Sequence, residues 1–129
     1  MPKREVKRPG QTGQGGAYST GVLCDGWLFV TGQVPRDPKS GRIIGKTLEE
    51  QTRAALENLD EVLRAAGCTR ADVVKCSCHL ADLKDFPQFD KAYAEFFGEC
   101  ILPARKTVQS GLGEVLVELD AIARVPQNA

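Results

Sequence analysis

From Val115 to Val125 the chain alternates without a break. Val115, Val117, Leu119, Ala121, Ala123 and Val125 are apolar, and Leu116, Glu118, Asp120, Ile122 and Arg124 fall between them. Strand side chains point alternately to the two faces of a sheet, so this segment predicts a strand with one wholly apolar face and one mixed face. The apolar face demands cover by helices. The mixed face sets Leu116 and Ile122 beside charges and predicts partial cover too, for which the expected source is a second copy of the chain.

The rest of the chain supplies partners for that strand. "YSTGVLC" and "WLFVTGQV" are β-rich runs joined by Asp25-Gly26, a two-residue hairpin signal because a type I′ turn needs positive φ. "PRDPKSGR" then reads as a loop. Thr47 and Glu50 form a capping-box signature, followed by Ala55, Leu56, Leu59, Val62, Leu63 and Ala66 at helical spacing, with Gly67 as the stop. Residues 73–80 predict a strand with Val74, Cys76, Cys78 and Leu80 on one face and Lys75, Ser77 and His79 on the other. A second helix over about residues 85–97 carries Phe86, Phe89, Tyr93, Phe96 and Phe97 toward the core, with Pro87 in its first turn and Gly98 ending it. Residues 104–125 read as two strands around "SGLGE". The expected architecture is α+β, with helices on one side of a largely antiparallel sheet.

Length and charge narrow the function classes. A chain of 129 residues fits one domain, and 17 basic against 17 acidic side chains leave no global field for nucleic acid or an anionic membrane. Lys3, Arg4, Lys7 and Arg8 precede "PGQTGQGGA", which predicts a flexible, basic, glycine-rich leader over residues 1–16 and a single domain over 17–129. No apolar run reaches the roughly 20 residues of a membrane span, and no secretory signal opens the chain, so a cytoplasmic protein is expected. Five cysteines, an odd number, predict reduced thiols. "CSCHL" is not expected to bind metal, because alternation sends His79 to the face opposite Cys76 and Cys78.

The candidate chemistry lies in "ILPARKTVQS". Alternation groups Arg105 with Thr107 and Gln109 and sends Val108 toward the core, which would put Arg105 on the same sheet side as Glu118 and Asp120. A two-residue turn in "SGLGE" would pair Arg105 with Glu118 directly. The guanidinium fork can hold a carboxylate bidentately, and Glu118 can orient or deprotonate a water. On the residues alone the favoured reading is the plainer one, a cross-strand salt bridge worth about 0.2–1 kcal/mol.

Taken together, "AYSTGV", "LFVTGQVPRDPKSG", "EEQTRAALENLDEVLRAAG", "VVKCSCHLADLKDF", "YAEFF", "LPARKTVQ" and "VELDAIA" resemble the RidA family of enamine/imine deaminases over about residues 17–125. The resemblance implies a chorismate-mutase-like α+β fold: a mainly antiparallel mixed sheet with two helices on one face. It also implies a homotrimer with intersubunit clefts and hydrolysis of 2-imino or enamine acids, of the 2-aminoacrylate/2-iminopropanoate class, to 2-keto acids and ammonia. It implies no metal and no organic cofactor. By the same resemblance Arg105 clamps the substrate carboxylate and Glu118 handles the attacking water, while Tyr18, Thr31, Gly32 and Thr107 line the cleft.

The chain departs from the family pattern at several positions. Ala17 stands for a proline, Thr31 for a serine, Lys106 for a small residue, Thr107 for a cysteine and Asp90 for an asparagine, and "SGLGE" is a shorter turn. An alternative function is a non-catalytic trimer that binds small carboxylates as a sensor or chaperone. The endoribonuclease activity sometimes attached to the family fits less well with zero net charge, one histidine and no basic aromatic face.

Overall fold

The structure, a computed structural model, describes residues 2–13 and 15–127. Met1, Gln14, Asn128 and Ala129, which fall in the leader and at the domain's end as read from sequence, lie outside the described residues. Strands β1 (Arg4–Val6), β2 (Gly21–Cys24), β3 (Trp27–Gln33), β4 (Val73–Leu80), β5 (Ala104–Gln109) and β6 (Val117–Arg124) form one sheet in the order β1-β2-β3-β6-β4-β5. Neighbours run antiparallel except β4 and β5, which are parallel. Helices α1 (Leu48–Ala65) and α2 (Phe86–Phe97) cover one face, as expected, and α2 is the crossover that brings the chain from β4 back parallel to it as β5.

Local chemistry explains the elements. Asp25 (φ 52°) and Gly26 (φ 80°) both take the left-handed conformation that a tight hairpin needs, with Cys24 opposite Trp27. Thr47 accepts from the Glu50 amide at 3.1 Å while Glu50 accepts from the Thr47 amide at 3.1 Å, closing the capping box. The core lies between the helices and the inner sheet face. Leu56, Leu59 and Leu63 of α1 and Phe89 and Phe97 of α2 meet Leu28, Cys76, Cys78, Leu80, Val117 and Leu119 there.

The structure corrects three sequence expectations. The leader is not wholly mobile: Arg4–Val6 pair with β2, Val6 is buried, and its side chain lies against Gly21. The ladder to β2, the buried Val6 and the contacts of Arg8 to Gln33 and Asn58 hold this segment on the open side of β2. Within β4 a bulge between Val73 and Lys75 turns Val74 outward, so Val73, not Val74, joins Cys76, Cys78 and Leu80 on the inner face.

The third correction bears on function. β5 and β6 do not form a hairpin, because β4 lies between them. Consecutive strands are neighbours in only about two-thirds of cases. Here the α2 crossover commits β5 to the edge beside β4, and β6 fills the slot between β3 and β4.

Candidate functional site

In the parallel pair Cys76 aligns with Arg105 and Cys78 with Thr107. Side chains in register share a face, so Arg105 and Thr107 lie on the inner, helix-covered side with the two thiols. Glu118 aligns with His79 and stands on the outer side. Arg105 and Glu118 therefore occupy opposite faces with β4 between their strands, which overturns the expected Arg105–Glu118 pairing. Val108 likewise faces outward, beside His79 in register, and not toward the core.

Arg105 is held at the sheet edge by α2. Its guanidinium carbon lies 4.7 Å from the Tyr93 ring centroid, 5.3 Å from that of Phe86 and 5.5 Å from that of Phe89. Each such cation–π contact is worth about 0.5–2 kcal/mol, depending on desolvation. Nη1 donates to Asp90 Oδ1 at 2.9 Å; the Arg105 side chain is 21% exposed and that of Asp90 52%. An ion pair this open contributes about 0–1 kcal/mol, so the rings position the cation more than Asp90 does. One buried hydroxyl nearby, Thr107 Oγ1, has no hydrogen-bond partner among the described residues. A buried hydroxyl left unsatisfied costs about 1–3 kcal/mol, which a polar ligand could recover.

The thiols beneath Arg105 are inert. Burial pushes Cys76 up to about 11, a hydrogen bond with Tyr93 and the charge of Arg105 only partly opposing it. Burial raises Cys78 further, despite Arg105. Neither is a thiolate near neutral pH.

Thr31, Gly32 and Glu118 gather elsewhere. Between Val30, opposite Ala121, and Gln33, opposite Leu119, β3 carries two residues against the single Asp120 of β6. This bulge at Thr31-Gly32 interrupts the ladder and frees backbone for other partners. A Cβ on Gly32 would lie 2.5 Å from Glu118 Oε2, so only glycine lets that carboxylate reach the bulge. Tyr18, Thr31 and Gly32 line one recess with Arg8, Arg36 and Asn58. Its volume of about 120 Å³ is well below the roughly 300–1,000 Å³ of complete small-molecule sites. A recess of about 240 Å³ between the helices is lined by Arg53, Glu57, Asp60, Arg70, Glu95 and Phe96 and contains none of the predicted site residues. Its arginines already pair with Glu95 and Asp60.

The predicted site residues thus fall into two groups: Arg105 with Thr107 and Asp90 on the inner side of one edge, and, across the sheet, Glu118 against Gly32 of the bulge whose recess Tyr18 and Thr31 line. Two residues near them escaped the sequence reading. Arg8 is largely buried: it donates to Gln33 Oε1 and, at 3.4 Å, to the Asn58 carbonyl, and lies 3.6 Å from Glu61. Burial lowers its pKa, with Glu61 and Tyr18 opposing. His79 is the cross-strand neighbour of Glu118, and its Nδ1 is 2.8 Å from Ser110 Oγ. Alternation did send His79 to the face opposite the thiols, but its proximity to Glu118 depends on a strand order that alternation does not contain.

This α+β architecture and its split polar residues belong to a known class. The endoribonuclease L-PSP family model matches residues 11–125, and the chain belongs to that family, which is also the YjgF/RidA family. A RutC family protein of Pyrococcus horikoshii is 42% identical over 110 residues, covering 84% of this chain and 86% of that protein. The 2-iminobutanoate/2-iminopropanoate deaminase of Rattus norvegicus is 43% identical over 94 residues, covering 73% and 68%. Among solved structures, Escherichia coli TdcF with bound serine superposes with a TM-score of 0.86 at 32% identity, covering 94% of this chain and 98% of that one.

Proposed function

We propose that this protein hydrolyses 2-imino and enamine acids of the 2-aminoacrylate/2-iminopropanoate class to 2-keto acids and ammonia. In this reading it acts as a homotrimer whose clefts join the Arg105 half-site of one protomer to the Glu118 half-site of the next. The observation that carries the reading is the Arg105 guanidinium, fixed by three aromatic rings yet still partly exposed, beside the unsatisfied hydroxyl of Thr107. Deaminases among the relatives support the reaction class. Exposed apolar side chains on the outer sheet face, Trp27 at 39% and Phe29 at 46%, with Ile122 opposite Phe29, support assembly through that face.

The chemistry needs few groups. Arg105 would bind the carboxylate and so fix C2 of the imine. Water, losing a proton to Glu118, would add to C2 as the C=N π electrons move to nitrogen. With the substrate as its iminium, the proton taken up by Glu118 would pass to that nitrogen, and ammonia would leave with the C–N bonding pair as the hydroxyl gives its proton back to Glu118 and closes to the carbonyl. Imines of this kind hydrolyse quickly unaided, so positioning and one acid/base group suffice.

The test is a coupled assay in which an amino-acid oxidase generates imines and semicarbazide intercepts them. Wild-type protein should divert imine to free keto acid; Arg105→Ala should lose at least about 100-fold of that activity. Undiminished activity in Arg105→Ala would refute the assignment. A second reading, a non-catalytic trimer that binds small carboxylates, draws on the relative that holds serine, which has no imine to hydrolyse. It predicts ligand binding lost in Arg105→Ala and no acceleration by wild type.

A further inference from the structure

We infer that Asp90 makes the Arg105 half-site select ligands that carry a positively charged nitrogen beside their carboxylate, and so discriminates an imino acid from the keto acid it becomes. The inference rests on Arg105 being a carboxylate clamp, and it assigns to Asp90 a role that the clamp alone does not require.

The starting point is charge. Asp90 Oδ1 accepts from Arg105 Nη1 at 2.9 Å, so the clamp carries a carboxylate before any ligand arrives, and the pair sums to zero. The surrounding Phe86, Phe89 and Tyr93 faces add the negative side of their quadrupoles and no formal charge. Of the cations next in sequence, Lys106 aligns with Ser77 and so projects from the opposite face of the sheet, and Lys91, one residue from Asp90 on α2, is exposed and directed about 100° away around the helix. A keto acid entering here brings one uncompensated negative charge next to Asp90. A 2-iminium acid, or an amino acid zwitterion, brings its own positive nitrogen.

The second point is geometry. Asp90 uses one oxygen on Arg105, and its Oδ2 has no hydrogen-bond partner among the described residues. Asp90 stands on α2 between Phe89 and Tyr93, so the helix that cages the guanidinium also fixes the carboxylate beside it. A ligand carboxylate on the remaining N–H groups of Arg105 would lie beside Asp90, whose second oxygen is then available as an acceptor for a charged nitrogen on C2. Asparagine would keep the contact to Arg105 and lose the charge, which separates a selective role from a structural one.

The experiment compares full-length wild type, Asp90→Asn, Asp90→Glu and Arg105→Ala by calorimetry, with 2-ketobutanoate and L-2-aminobutanoate as probes of equal carbon skeleton. Wild type should bind the amino acid more tightly than the keto acid. Asp90→Asn should shift the ratio of the two dissociation constants at least about tenfold toward the keto acid, the loss of one charge-assisted hydrogen bond. Asp90→Glu should hold the ratio within about threefold of wild type. An Asp90→Asn ratio within about twofold of wild type overturns the inference, and it leaves the clamp standing if Arg105→Ala loses both probes. Wild-type binding of both probes by Arg105→Ala, or of neither by wild type, removes the clamp and the inference together.

Discussion

The Glu118 carboxylate occupies the space that any side chain on Gly32 would need: Oε2 lies 2.5 Å, and the carboxyl carbon 2.9 Å, from where a Cβ would sit. Gly32→Ala should leave the fold intact, because the clash is with the end of a half-buried, flexible side chain, but displace the carboxylate. A shift of about 1 Å in a reacting group can cost about 100-fold. The coupled imine assay should therefore show a loss of that order at a melting temperature close to wild type. Equal activity would place Glu118 outside the chemistry.

Leu119 sits in the central strand with its side chain fully buried between Cys78 and Gln33 in register, under the helices. Leu119→Ala should cost about 2–5 kcal/mol in urea unfolding, the usual range for a buried leucine that leaves a cavity. A loss below about 1 kcal/mol would mean that the inner face repacks freely.

Thiol reactivity should divide the cysteines. Burial raises Cys68 and Cys76 to about 11 each, and Cys78 higher. At pH 8 only about one in a thousand of such groups is a thiolate. Titration with a chromogenic disulfide at pH 8 should label no more than Cys24 and Cys100 in the native protein, and all five in denaturant. Three or more fast native thiols would contradict the burial of Cys68, Cys76 and Cys78.

The α1 capping box makes stability pH-dependent. The Lys46 and Thr47 amides hold the Glu50 carboxyl below its ordinary value. A depressed folded pKa gives stabilisation that is complete above the unfolded value, about 4.3, and is lost as pH falls through the folded one. The melting-temperature gap between wild type and Glu50→Gln should thus be widest near neutral pH and close in acid. Thr47→Ala should cost about 1 kcal/mol in addition, by removing the cap itself.

Local signals carried much of this fold. The Asp25-Gly26 hairpin, the Thr47–Glu50 box, both helices and the alternating faces of β6 are each decided within a few residues, and the structure places each as the sequence implied. Strand order is different, since a parallel return over α2 and an antiparallel hairpin through "SGLGE" are both compatible with the same alternation. That ambiguity put Arg105 and Glu118 on one face by sequence and leaves them on two in the structure. The resemblance named the same residues without needing the topology. The Thr31-Gly32 bulge and the buried Arg8 left no local signature, because each depends on which strand lies alongside.

The α2 crossover has a consequence for how such a protein can diversify. Everything that grips or tunes the proposed ligand's charged end, from Asp90 and its aromatic neighbours to Arg105 and Thr107, is carried by one contiguous stretch running from the end of β4 to β5. The groups proposed to act on the water belong to β3 and β6, on the far side of that boundary. A grafted 81–110 segment from a relative would exchange ligand preference as a single cassette while leaving the water-handling half untouched.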